Sequence, residues 1–289
     1  MSGGRQVYLI WDGGEVYLRG NHPEKRGLFV TDDGIEGWDS SPNTKVSMTE
    51  KQTSDGAHRL EDNNILYSAR TVTVHFRAHG DDRDDVLSLI KEVAEACHRM
   101  VKLRIVDAYS DAYCIGYTQH SIEAKWNNNW GIGTISIVCP DPKKLSWERK
   151  RIQLSPTSAG PGGLYYGDTG KGLNYPISYG TNPEEVKNVG TLVNNGTTTA
   201  YPIITVNGSI NAGFMFDFGD RSLIYSQPVG DVPLVLDSST RIASIGGLDV
   251  SRNLRSRGFI EVPPGGSVNV SFQATGTGWA TIEWNDTYI

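Results

Sequence analysis

Residues 70–100 read RTVTVHFRAHGDDRDDVLSLIKEVAEACHRM, and the hydrophobic period changes in the middle of that run. In its first part Val72, Val74, Phe76 and Ala78 alternate with Thr71, Thr73, His75 and Arg77. A period of two puts the apolar set on one face of a β-strand and the polar set on the other. After Gly80 the apolar residues fall at Val86, Leu89, Ile90, Val93, Ala94 and Cys97, a spacing that makes one stripe of an α-helix. Asp81, Asp82, Asp84 and Asp85 gather at its start, where a side-chain cap and the helix dipole favour carboxylates. His98, Arg99 and Lys102 gather near its end, where the dipole favours cations. The pattern predicts one amphipathic helix over residues 82–100, lying on a sheet of the first domain.

Outward from this stretch the chain reads as β on both sides. QVYLIWDGGEVYLR, residues 6–19, has a Gly-Gly turn between two short apolar segments, a hairpin signal. Behind the helix come VKLRIVDA, AYCIGYTQHSIEAKW and GIGTISIVCP, and the segment CPDPKK at 139–144 then breaks the pattern. Residues 155–180, SPTSAGPGGLYYGDTGKGLNYPISYG, carry Pro, Gly and Tyr with weak periodicity. Strands resume in AYPIITVNGSINAGFMF, where Asn207-Gly208 between apolar runs suggests a type I′ hairpin. SLIYSQ, VPLVLD and RIASI follow. The ending has two more alternating runs, and it places Trp279, Trp284 and Tyr288 among the last residues as core or interface aromatics. The fold class is therefore mainly β with one helix. An N-terminal β-sandwich or barrel-like domain, residues 1–145, carries helix 82–100. A C-terminal β-sandwich, residues 146–289, takes the final strand into its sheet. A linker or long loop covers about 155–182.

Composition excludes several classes. An apolar fraction of 38%, a charged fraction of 21% and 33 glycines suit a globular β protein. The net charge of −6 gives no basic field for nucleic acid, and the basic run ERKR at 148–151 is too short to make one. Cys97, Cys114 and Cys139 are single, odd in number and without a CxxC pair, which points to buried thiols in a reducing compartment. The start MSGGRQVYLIWDGG has no apolar core of signal-peptide length, and no stretch is long enough to enter a membrane.

No catalytic, cofactor or metal constellation emerges. GDTGKG fails as a phosphate loop, because Tyr165 and Gly172 stand where a Gly and a Ser or Thr are needed. His75 and His79 are four apart on a strand, with no HExxH. All six histidines precede residue 121, and no GxSxG elbow is present. Asp81–Asp85 lacks the ligand spacing of a calcium loop. Asp217, Asp220, Glu261 and Glu283 could be proposed as a glycosidase pair, but their spacing singles none of them out. Cys97 lies on the helix's apolar stripe, as a core residue rather than a nucleophile.

The order of features resembles the siphophage distal tail (Dit) family, often called minor tail proteins. DGIEGW at 33–38, the strand RTVTVHFRAHG leading into one helix, CPDPKK, GTLVNNGTTTAYPIITVNGSI at 190–210 and the ending GWATIEWNDTYI carry the resemblance across nearly the whole chain. It implies a structural baseplate hub at the virion's tail tip, assembled in the host cytoplasm. It implies a homohexameric ring of N-terminal domains with galectin-like C-terminal domains outward. Tail tube protein, tail-tip or tail-associated protein and tape measure protein are the implied partners, with a receptor-binding protein as a further one. A carbohydrate-binding adhesion module of the virion and a cell-wall glycosidase are the competing readings.

Overall fold

The computed structural model describes residues 5–20, 26–45, 49–57, 65–124, 129–156 and 188–289. The loop expected over 155–182 lies, from residue 157 onward, outside the described residues. The chain forms two compact units, Met1–Glu148 with Tyr288–Ile289, and Arg149–Thr287.

In the first unit the strands are β1 (Gln6–Trp11), β2 (Gly14–Arg19), β3 (Gly27–Glu36) and β4 (Arg70–His79). Helix α1 (Arg83–Glu95) follows, then β5 (Met100–Val106), β6 (Asp111–Ala124), β7 (Trp130–Cys139) and β8 (Lys144–Ser146). The turn between β1 and β2 is Asp12-Gly13, with Gly13 at φ +99, and Gly14 already belongs to the strand. Strands pair in the order β6-β5-β1-β2-β3-β4-β7, and β7 pairs back to β6, closing a seven-stranded barrel. Closure depends on the length of β6. Its residues up to Tyr117 pair with β5, and those from Tyr117 on pair with β7. The barrel pairs are antiparallel except β2 and β3, which meet in parallel over Leu18–Leu28 and Arg19–Phe29.

The period-two reading of β4 holds. Val72, Val74, Phe76 and Ala78 are fully buried in a core shared with Val7, Leu9, Leu18, Leu103, Ile105, Ile135 and Ile137. Helix α1 packs Val86, Leu89 and Val93 into that core, with Ile90 partly buried beside them. Asp82 caps the helix, its side chain accepting a hydrogen bond from the Asp85 N–H at 2.9 Å. The helix is shorter than the expected 82–100. It ends at Glu95, because His98 adopts a left-handed φ of 61° and Met100 already starts β5. The Thr118 hydroxyl donates to the Ala96 carbonyl and ties that end to the barrel. Leu89→Ala should cost about 2–5 kcal/mol in denaturant unfolding. A change within about 0.5 kcal/mol would place that stripe in solvent.

Arg70 has the same parity as the core residues of β4 and is itself buried. Its guanidinium donates to the carbonyls of Gly37 (2.6 Å), Trp38 (3.2 Å), Ser40 (2.8 Å) and Pro142 (2.8 Å). It thereby holds the DGIEGW turn and the CPDPKK break against one barrel strand. Gly37 (φ +78) could carry no side chain there, since a Cβ would lie 2.1 Å from the Thr71 carbonyl oxygen.

The second unit contains β9 (Lys150–Leu154), β10 (Val189–Val193), β11 (Ile203–Asn207), β12 (Ile210–Asp217), β13 (Ser222–Tyr225), β14 (Leu234–Asp237) and β15 (Ile242–Ile245). It continues with β16 (Leu248–Asp249), β17 (Leu254–Arg257), β18 (Ser267–Gly276) and β19 (Trp279–Trp284). One sheet runs β10-β18-β12-β13-β17 and the other β16-β15-β14-β11-β19-β9. Leu192, Phe216 and Phe272 from the first meet Ile204, Leu236 and Ile282 from the second in one core, which makes a β-sandwich. Asn207-Gly208 is not the hairpin that its sequence suggests. Both edges of β11 are taken, by β14 and β19, so the next strand cannot pair with it. The turn, with Gly208 at φ +76, passes the chain into the opposite sheet instead.

The ending departs from expectation as well. β19 belongs to the sandwich, but Tyr288 and Ile289 group with the first unit. There β20 (Thr287–Tyr288) extends the sheet beyond β8. Asp286 sits just before this departure and is anchored within the second unit. It accepts hydrogen bonds from Lys150 Nζ at 2.7 Å and from the Asn195 N–H at 2.8 Å.

Candidate interaction face

The residues considered for chemistry do not converge on a reaction centre. Glu261 is bound between Arg241 (2.7 Å) and Arg221 (3.5 Å), and Glu283 pairs with Arg149 at 3.2 Å. Asp217 accepts the Gly219 N–H in a local turn. Asp220 and Glu261 do line one open pocket of about 280 Å³, with Phe218 and Phe259, but the Glu261 carboxylate is already committed to its two arginines. His75 lies 3.2 Å from Glu36 on the outside of the barrel. Cys97 Sγ lies 2.8 Å from His120 Nδ1, but burial pushes its thiol up, away from the thiolate that a nucleophile needs. Among the described residues no group of three or more His, Cys, Asp or Glu side chains could hold a metal ion. GDTGKG lies outside the described residues.

The aromatics of the ending separate. Trp284 is buried in the sandwich core, Trp279 is exposed, and Tyr288 is partly buried.

The feature that stands out is the outer surface of the barrel. On an isolated sheet face turned to water the outward residues should be polar. Here a row of directly opposed residues crosses five strands: Tyr17, Tyr8, Arg104, Tyr113 and Leu145. Tyr8 and Tyr17 stack at 4.7 Å. Arg104 grips Asp111 with two hydrogen bonds, 2.8 Å and 2.6 Å, while its guanidinium lies 4.0 Å from the Trp147 ring and 5.4 Å from that of Tyr8. Its bond to Asp111 raises the guanidinium's affinity for its proton, and burial raises that of the Tyr8 hydroxyl. Tyr113 meets Trp147 edge-on at 5.8 Å.

A second row runs Met100, Tyr117, Val138, again directly opposed across β5, β6 and β7. These side chains are 45%, 54% and 37% exposed, and Ile115 beside them is 39% exposed. Arg, Tyr and Trp on a rigid sheet are the residue types that anchor protein contacts. The sequence signal was available in AYCIGY, residues 112–117. Ala112, Cys114 and Gly116 face inward, yet Tyr113, Ile115 and Tyr117 on the other face are not polar. The row itself needed the register.

No protein-family model matches the sequence, and no curated protein matches it either. Among solved structures, the chain is similar to the SPP1 Dit (gp 19.1) protein, described as a paradigm of hub adsorption apparatus in Gram-positive infecting phages. That match has a TM-score of 0.61 at 14% identity and covers 98% of this chain and 99% of the other. It is also similar to chains of the phage p2 baseplate in its activated conformation. With strontium the TM-score is 0.50 at 9% identity, covering 97% and 98% of the two chains; with calcium it is 0.49 at 8%, covering 98% of each. The SPP1 likeness shows the fold, a two-unit β architecture matched end to end.

Proposed function

We propose that the chain is a structural hub of a phage tail tip, with no catalytic role, whose first unit joins copies of itself into a ring of six. The observation that carries this reading is the end-to-end likeness to the SPP1 hub protein, with both units matched. The outer rows of the barrel support it. A lone copy would leave Tyr117, Met100, Ile115 and Val138 in water, whereas a subunit contact would cover them. The same reading puts the protein in the virion and makes other tail-tip components its neighbours. A galectin-like second unit is part of this proposal, and it carries no sugar specificity with it.

The test is native mass spectrometry and electron microscopy of the purified full chain. Closed rings are expected at about 50 µM, a concentration that reveals micromolar affinities. A monomer at that concentration that binds glycans on an array would overturn the reading in favour of an adhesion module. Tyr117→Asp places a charge in the middle of the exposed row, and it should weaken self-association at least about tenfold, or about 1.4 kcal/mol. Unchanged assembly would move the contact elsewhere on the barrel.

A further inference from the structure

Two of the three cysteines meet inside the barrel. Cys114 on β6 and Cys139 on β7 bring their sulfurs to 3.0 Å, and both are buried. Cys139 stands directly opposite Arg70 in the pairing of β4 with β7. The hydrogen-bond partners of Arg70 are all neutral carbonyls, and its Nη2 is buried with none among the described residues. A buried cation whose partners are all neutral is costly, and a thiolate beside it would supply the missing anion. The Arg70 charge favours ionisation of either sulfur, and the strand register is what sets Cys139 opposite it. The hydrogen bond between the two sulfurs and the charge of Arg70 hold the Cys139 thiol below its usual range. The bond to Cys139 and burial push the Cys114 thiol well above it. In the neutral pair the Cys139 thiol donates to Cys114 Sγ; an ionised Cys139 can only accept, from the Cys114 thiol, and it is then the nucleophile.

We propose that Cys114 and Cys139 are a redox modification site, which a small oxidant of the peroxide class converts into a disulfide joining β6 to β7. The Cys139 sulfur attacks one oxygen of hydrogen peroxide. The O–O bond breaks, hydroxide leaves and Cys139 becomes a sulfenic acid. The Cys114 thiol then gives up its proton as its sulfur attacks Cys139 Sγ. The S–O bond breaks, and the departing oxygen leaves as water with that proton. The pair has lost two electrons and the peroxide has gained them. The sulfurs must close from 3.0 Å to about 2.0 Å, a movement of a side chain rather than of a strand. The oxidant must be small because both thiols are enclosed.

Cys97 is the internal control. It is more exposed than either member of the pair, at 9% against 2% and 0%, so chemistry governed by access alone would take it first. The experiment exposes the reduced full chain to hydrogen peroxide, alkylates the remaining thiols under denaturing conditions and maps peptides without reduction. The expected product is a Cys114–Cys139 linked peptide lighter by two hydrogens, with Cys97 alkylated. Cys97→Ser should keep the link and Cys139→Ser should abolish it. In Cys114→Ser a sulfenic-acid-specific dione should label Cys139, which keeps the test open should Cys139→Ser not fold. Oxidation of Cys97 first, links that involve Cys97, or an unlabelled Cys139 in Cys114→Ser would each overturn the proposal.

Discussion

Arg70→Ala is expected to destabilise the first unit by about 3–5 kcal/mol, which is at the upper end for any single substitution. Four carbonyls converge on one guanidinium, at distances from 2.6 to 3.2 Å. A hydrogen bond from a charged donor is worth about 1.5–3 kcal/mol, so a simple sum would exceed the figure given. The sum overshoots because removing the guanidinium also removes the cost of burying it, a cost visible in the lowering of its proton affinity by desolvation. What stays lost is the tie that holds residues 37–40 and Pro142 to β4. Thermal unfolding should show the first unit's transition roughly 6–20 °C lower. Arg70→Lys should recover less than half, because an ammonium is a point charge and cannot reach four carbonyls spread around a planar fork. A loss below about 1 kcal/mol in Arg70→Ala would mean that the turn is held by its own backbone and that the arginine only fills space.

What could be read in the sequence was local, and what could not was pairing. The alternation in β4 and the stripe of α1 survive because each is fixed by residues a few positions apart. The helix ends short of its apolar stripe because His98 stops α1 through a backbone conformation that its side chain does not announce. Asn207-Gly208 has the turn chemistry of a hairpin. Whether two strands joined by such a turn also pair depends on whether a strand edge is free, and β14 and β19, far along the chain, had already filled both. Barrel closure is non-local in the same way, since it rests on β6 changing partners at Tyr117. The interaction face was half legible. AYCIGY shows a strand with no polar face, but which residues form a row is set by register. Arg70 was legible in hindsight as a cation on the apolar parity of β4, and the neutrality of its partners was not.

The ending poses the same problem in small, and Trp284→Ala and Trp279→Ala decide it together. Both tryptophans lie on β19, but at positions 279 and 284 they have opposite parity. Trp284 packs into the sandwich core at 5% exposure, while Trp279 is 39% exposed. The Trp284 indole N–H donates to the Val193 carbonyl at 2.9 Å, and Lys150 Nζ donates to the same oxygen at 3.0 Å. Truncating Trp284 therefore leaves that carbonyl with a partner, and the hydrogen-bond part of the loss stays near 1 kcal/mol or below. The cavity is the larger part, so Trp284→Ala should cost about 3–5 kcal/mol in the second unit. Lys150 also binds Asp286, the last anchor before the chain leaves for β20, so loosening around Trp284 should reach the terminal residues too. Hydrogen exchange should report it as faster exchange at the backbone amides of residues 284–287. Trp279→Ala should cost clearly less than Trp284→Ala, because far more of its surface stays in water in the lone chain. If Trp279→Ala costs as much as Trp284→Ala in a dilute, unassembled sample, the exposed tryptophan is a fold residue and not a contact residue. If neither costs more than about 1 kcal/mol, the sandwich does not depend on its last strand, and the aromatics were kept at the end of the chain for something outside it.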